Sequence, residues 1–428
     1  MAYTPNTLAM RSMGFVEGAL NVWEYTSADA LSLILGPGYF SDGSSKGMLV
    51  GDIVWVVNQT AGAVSITRCQ CSLSTVTTTG GLTQHVGSST IISQDPSLYS
   101  NPRNILDGSD ATINPWQRGT SITSLGATSA TYTADRWFLF QSVSATSAAM
   151  VKTANTSIAG FSSWFAWGRT QSSGSVSTLY LGQVLESLDS YRAQGQTVTL
   201  SFWAAYNTGF TAGQTSATIG VTLIQGTGVD QSANSAVAGT WTGQTNLISS
   251  TQVLTSTMTR YAFSALVTNS ATQLGVLFQY TPNTQTAITA EQVFMNGMQL
   301  EIGGVTAYEH REVEQEIAYC QRYYFQINEP GTSGTVIASG MVGPANSCLF
   351  TINLPVQMRT APTVTVTNGS FGADVIGGYV ALTSIAALGN HTVNYVGISG
   401  LATAVSGQAV LLISSSATVG QIKISADL

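Results

Sequence analysis

The chain has 428 residues, room for two to four domains each with its own core. Its 14 Lys and Arg against 21 Asp and Glu give a net charge of −7 with no clustering of cations, which argues against nucleic acid as a partner. Only 8% of residues are charged and Gly reaches 43, so the composition is that of short strands joined by tight turns, with part of the surface expected to be covered by other subunits. No apolar run approaches the ~20 residues of a membrane span, and the opening MAYTPNTLAMRSMGF lacks a basic and then apolar signal. Folding in a reducing cytoplasm without membrane insertion is expected, with Cys69, Cys71, Cys320 and Cys348 as free thiols.

Residues 1–95 read as a separate small mixed unit. Ser27 can cap a short helix running through Leu35, and Gly36-Pro-Gly38 ends it. Strands follow at Met48 to Val57 and near Val64 to Leu73, and Thr75 to Gly87 reads as a linker or extended arm. Three elements, Tyr25-Thr-Ser-Ala-Asp29, Gly38-Tyr-Phe40 and Val50-Gly-Asp-Ile53, resemble the amino-terminal domain of small phage head-associated proteins. That resemblance implies an anchor that attaches the chain to a virion.

Residues 96–328 form the largest block. It holds Asn114-Pro-Trp-Gln-Arg-Gly119, Tyr132-Thr-Ala-Asp-Arg-Trp137 and a closing strand at Gly297 to Glu301. Val198, Leu200, Phe202 and Ala204 alternate with Thr199, Ser201 and Trp203, the period of a sheet strand, and Ile219-Val221-Leu223 and Leu274-Val276-Phe278 repeat it. Such strands with Gly and Asn turns predict a sandwich.

The charge that the chain does carry gathers between Val305 and Gln326. Val313, Ile317, Cys320 and Tyr324 recur at spacings of four, three and four, which predicts a helix of about three turns with those four on one face. This stripe can pack on the chain's own sheet or meet its copies around an axis. The run Gly297-Met-Gln-Leu-Glu301, Tyr308-Glu-His-Arg311, Glu316 and Cys320-Gln-Arg-Tyr-Tyr324 resembles a segment of bacteriophage tail-fibre and head-fibre proteins, where it closes a jelly roll similar to carbohydrate-binding modules. The resemblance implies a virion protein, a homotrimer, and attachment to a capsid or tail protein through residues 1–95. A head fibre that adheres to glycans, a tail-fibre receptor-binding protein and a polysaccharide-degrading tail enzyme are the functions it leaves open.

Residues 329–428 alternate again and predict a terminal β-sandwich with a Ser, Thr, Gly and Asn surface. The expected fold is thus mainly β and multi-domain: a mixed N-terminal domain, an antiparallel jelly roll, one short helix and a C-terminal sandwich.

Catalytic signals are sparse. His85, His310 and His391 are not at metal-ligand spacing, and no nucleotide loop or nucleophile motif is present, so neither metal nor cofactor nor catalysis is expected. Asp107 with Asp110 and Glu186 with Asp189 are the nearest carboxylate pairs a glycosidase would use, and are better read as turn residues or, for Asp107 to Asp110, a weak calcium loop. Among Trp116, Trp137, Trp164, Trp167 and Trp203, the loop-like pair Trp164 and Trp167 is the candidate for stacking on sugar faces, the alternative being that these rings fill the core.

Overall fold

The computed structural model describes residues 8–12, 21–34, 39–40, 46, 48, 52–60, 63–72 and 81–84 of a first compact unit, Met1–Tyr99. In the second, Ser100–Leu428, it describes 102–123, 125, 129–142, 148–155, 157–169, 177–207, 217–282, 291–328, 334–344, 347–367, 371–375, 378–382, 384–388, 392, 394–401, 406–414 and 420–428.

The first unit is one five-stranded sheet, β1 (Leu8–Ser12), β2 (Val22–Ser27), β3 (Ile53–Thr60), β4 (Ala63–Ser72) and β5 (Gly81–Gln84), in that order. Among the described strands only β2 and β3 pair in parallel, and a parallel pair needs a crossover; α1 (Leu31–Ile34) lies in it. Trp23, Tyr25, Val54 and Val56 alternate inward to form the core with Ile34 and Phe40. The helix starts later than expected because the Ser27 hydroxyl accepts from the Asp29 N–H at 3.0 Å, which stabilises a turn before the helix instead of capping it. Part of the expected linker is also a strand, since Gly81–Gln84 pairs with Cys69 to Ser72.

In the second unit the chain runs through β6 (Ser121–Ile122), β7 (Thr131–Tyr132), β8 (Phe138–Gln141), β9 (Ala148–Ala154), β10 (Ser163–Arg169), β11 (Leu179–Val184), α2 (Ser187–Ser190), β12 (Thr197–Tyr206) and β13 (Thr218–Gly226). It continues through α3 (Ala233–Ala238), β14 (Thr245–Val253), β15 (Thr259–Leu266), β16 (Gln273–Tyr280), β17 (Glu291–Ile302) and α4 (Val313–Gln321). Two antiparallel six-stranded sheets result, β15-β12-β17-β10-β9-β6 and β14-β13-β16-β11-β8-β7. The alternating residues Val198, Leu200, Phe202 and Ala204 of one sheet and Val221, Leu223, Val276 and Phe278 of the other share a single buried core. Burying a Phe such as Phe202 there contributes about 2–3 kcal/mol. This is the sandwich that the strand periods predict.

The remaining strands are β18 (Tyr324–Asn328), β19 (Val336–Val342), β20 (Ser347–Asn353), β21 (Thr363–Thr367), β22 (Phe371–Val375), β23 (Gly378–Ala381), β24 (Ser384–Ala387), β25 (Tyr395–Leu401), β26 (Ala409–Ser414) and β27 (Gln421–Ser425). They make sheets β18-β27-β21 and β23-β22-β26-β19-β20-β25-β24 around a second core that includes Phe350, Ile398, Leu412, Ile422 and Ile424. Strand β18, which a boundary after residue 328 assigns to the jelly roll, pairs with β27 in this second sandwich.

Candidate functional site

The resemblance-bearing residues of the first unit meet in its interior. The Asp52 carboxylate accepts from the Asn21 N–H at 2.9 Å and the Trp23 indole at 2.8 Å. Tyr39 donates to Asp29 at 2.7 Å and shares a 2.9 Å bond with the Tyr25 hydroxyl. The Tyr39 bond holds the Asp29 carboxyl below its usual range. A buried carboxylate needs such donors, so these residues tie strands and crossover together.

In the second unit, the chain leaving β17 forms a strap bonded back to β17 and to residues 103–108, the segment that enters the first sandwich. Glu301 accepts from the Thr306 N–H at 2.9 Å, and Gln299 accepts from the Glu309 N–H at 2.8 Å. Glu309 in turn accepts from the N–H groups of Arg103 at 3.1 Å and Asn104 at 2.7 Å. Arg311 then donates to Asp107 at 3.0 Å, to Glu316 at 2.9 Å and to the Asn104 carbonyl, while Glu316 also accepts from the Gly108 N–H. Two glycines are required by this arrangement. Gly108 has φ +62°, where a side chain would run into the Asp135 carbonyl, and Gly297 has φ +57° with Phe161, Trp203 and Tyr308 around it.

Helix α4 follows the strap, and its inward face is not the expected stripe. Glu316 and Cys320 are its buried residues, Ile317 is half-buried, Val313 is 44% exposed, and Tyr324 lies beyond the helix in β18. Apolar periodicity misses this face because one of its members is a carboxylate whose burial is offset by Arg311 and the Gly108 N–H. The helix therefore packs on its own sandwich through Glu316 and Cys320. Burial pushes the Cys320 thiol well up.

The Cys320-Gln-Arg-Tyr-Tyr324 residues join the two sandwiches. Arg322 grips Glu186 through a two-pronged contact of 3.0 and 2.9 Å. The Arg136 guanidinium lies 3.3 Å above the Tyr323 ring, and that of Arg118 lies 3.5 Å above Tyr324. Arg136 holds φ 70°, a conformation costing a non-glycine residue about 1–3 kcal/mol, and is fixed by Tyr323, by the Val184 carbonyl at 2.9 Å and by Asp107 at 3.7 Å. Asp135 of the same motif accepts from the Gln117 N–H at 2.7 Å and pairs with Arg118 at 3.3 Å, and Arg118 reaches on to Asp427.

Where strap, α2 and α4 meet, they leave a cavity of about 380 Å3. Its walls carry the carboxylates Asp107, Glu186 and Asp189 and the guanidiniums Arg192, Arg311 and Arg322. Asp107 and Glu186 are held by arginines, whereas the hydrogen-bond partner of Asp189 among the described residues is the Tyr323 hydroxyl at 3.4 Å. Burial, then the nearby Asp107 and Glu186, raise the Asp189 carboxyl above its usual range. Burial opposes the charge on Arg311, but Asp107 and Glu316 outweigh it and hold the guanidinium firmly protonated.

The tryptophans expected to stack on sugar do not lie in a loop. Both belong to β10, where Trp167 is 0% and Trp164 4% exposed. Three residues apart in a strand places them on opposite faces: Trp167 points into the sandwich core, and Trp164 lies outside that core with its ring 6.3 Å from Phe161. Neither ring has a free face for a glycan. His310 is half exposed, with Nδ1 3.7 Å from Asp110. His85, His391 and the side chains of Cys69 and Cys71 lie outside the described residues. Sequence reasoning paired Glu186 with Asp189 and Asp107 with Asp110, and missed that Asp107, Glu186 and Asp189 converge; the closely spaced arginines Arg311 and Arg322 were the signal that buried carboxylates await them.

No family model matches the chain, and no curated protein matches it. Among solved structures it is similar to a CBM4 module (15% identity over 40% of this chain and 88% of that one, TM-score 0.24). It is also similar to TmCBM61 in complex with beta-1,4-galactotriose (7% identity, 47% of this chain and 99% of that one, TM-score 0.28). A third is the enzymatically active domain of tailspike protein 4 of bacteriophage CBA120 (11% identity, 48% of this chain, TM-score 0.29), of which this chain spans 22%. At such TM-scores and identities these likenesses carry nothing about what this chain binds.

Proposed function

We propose that the chain is a non-catalytic structural subunit of a bacteriophage virion fibre, assembled as a homotrimer, which adheres weakly and multivalently to surface glycans. Residues 1–95 serve as its attachment to the particle, and a head fibre is the placement preferred over a tail fibre. The observation that carries the reading is the Gly297 to Tyr324 segment. The residues that give it its resemblance to phage fibre proteins lie together in the strap and the joint, with Glu301, Glu309, Arg311, Glu316 and Arg322 all bonded. The non-catalytic part is supported by what engages two of the carboxylates: Asp107 is bonded to Arg311 of the strap and Glu186 to Arg322 of the joint, so both serve to fasten late segments to early ones. Several copies on one particle would turn millimolar contacts into firm adhesion through effective concentration.

The test is gold-tagged antibody against residues 329–428 applied to intact virions and imaged by electron microscopy. Label distributed around the capsid is expected. Label confined to the tail would transfer the chain to receptor recognition, and unlabelled particles would remove it from the virion.

A further inference from the structure

Holding the fold together does not account for everything that faces the cavity beside the strap. Asp189 is engaged by a phenol at 3.4 Å and by no guanidinium at bonding distance among the described residues, although Asp107 beside it pairs with Arg311 and Arg136 and Glu186 with Arg322.

We propose that this cavity is a sugar-binding site that takes one uncharged pyranose residue of a neutral glycan. The proposal rests on the adhesive reading above and gives it a place and a ligand class. Three carboxylates and three guanidiniums share the wall, so an anion meets Asp107, Glu186 and Asp189 and a cation meets Arg192, Arg311 and Arg322. A hydroxyl both donates and accepts, and a neutral polyol can satisfy both kinds of group without repulsion. Ile105, Pro102 and Leu188 supply apolar surface for the C–H face of a ring. The volume, about 380 Å3, lies at the lower end of small-ligand clefts. Leu188 is 71% exposed and marks the open side.

Saturation-transfer NMR on the full-length protein tests this with glucose, galactose, mannose, N-acetylglucosamine and their disaccharides, and with glucuronic acid and glucosamine as charged controls. A neutral sugar is expected to bind, with affinity falling about tenfold or more in Asp189→Asn, which loses a charged acceptor. Leu188→Trp, a substitution at an exposed position that leaves folding intact, should block entry and produce a similar loss, and it decides the matter should Asp189→Asn fold poorly. Wild-type affinity in both variants would overturn the site while leaving glycan adhesion standing elsewhere on the chain. Absence of binding to every neutral sugar would overturn both, and preference for a charged control would overturn the ligand class.

Discussion

Replacing Arg311 with Ala should unlatch the strap. The guanidinium joins Asp107 at 3.0 Å, Glu316 at 2.9 Å and the Asn104 carbonyl, and its removal leaves two carboxylates, 8% and 2% exposed, without their shared cation. Breaking a buried pair from one side costs about 3–5 kcal/mol. Glu316 keeps the Gly108 N–H and Asp107 keeps Arg136 at 3.7 Å, which argues for the lower end, about 3 kcal/mol. For a unit of this size that is a loss of roughly 4 °C in melting temperature. Arg311→Lys retains the charge but not the fork and should cost about 1–2 kcal/mol. The double variant Arg311→Met with Glu316→Gln removes both charges and should recover to within about 1 kcal/mol of wild type. Thermal melting of the full chain measures the magnitude. Hydrogen exchange locates it, because the Asn104 and Gly108 amides bond to Glu309 and Glu316 and should exchange faster while the β12 to β17 ladder holds. An Arg311→Ala variant within about 1 kcal/mol of wild type, or a double variant worse than the single, would refute the account of the strap as a charge-locked closure.

Trp167→Ala, at 0% exposure, should cost about 3–5 kcal/mol by cavity formation, and a variant that keeps its stability but loses glycan adhesion would return the ring to a binding role. Tyr39→Phe removes a 2.7 Å bond to Asp29 and should destabilise the first unit by about 1–3 kcal/mol, read from its separate melting transition. Alkylation of Cys320 and Cys348, both buried with thiols pushed up, should stay undetectable by mass spectrometry until the second unit unfolds. Acid should act oppositely on the two units. Asp29 is lowered, so its contribution is present above 3.8 and lost as pH falls below it. Asp135, Asp189 and Glu316 are raised by burial, so their contribution is full below the unfolded values of 3.8 and 4.5 and lost as pH rises through the folded ones. Calorimetry from about pH 7 to about pH 5 should therefore show the second unit holding or gaining stability, and a monotonic loss there would contradict it.

The sandwich was legible because strand period alone specifies which residues face a core: Val198, Leu200, Phe202 and Ala204 are all buried in it. Strand β10 was not, since Ser163 to Arg169 is buried on both faces and shows no alternation to read. On its second face Trp164 lies 6.3 Å from the Phe161 ring, which in turn packs 5.2 Å from Tyr308 of the strap, a segment that no local sequence window includes. The helix was found but its inward face was not, because Glu316 is polar in any periodicity and becomes an interior residue only through Arg311 and a backbone donor more than two hundred positions away. The cavity was least legible of all, as its walls come from segments far apart in the chain.

The residues that make the chain recognisable serve closure. Arg311 to Asp107 spans 204 positions and Arg322 to Glu186 spans 136, so each bond fastens a late segment to an early one. Such a lock constrains residue type tightly, since a shortened carboxylate at 309 could not reach two backbone donors and a lysine at 322 could not grip both oxygens of Glu186. Asp189 and Leu188 sit on the rim of the lock without closing it: one has a single long contact with a phenol, the other is largely exposed. Substitution at these two positions should therefore alter what the chain holds without altering whether it folds, whereas substitution at 309 or 316, which lie outside the cavity wall, should do the reverse, and comparing melting temperature with sugar affinity across the four positions separates the scaffold from the site.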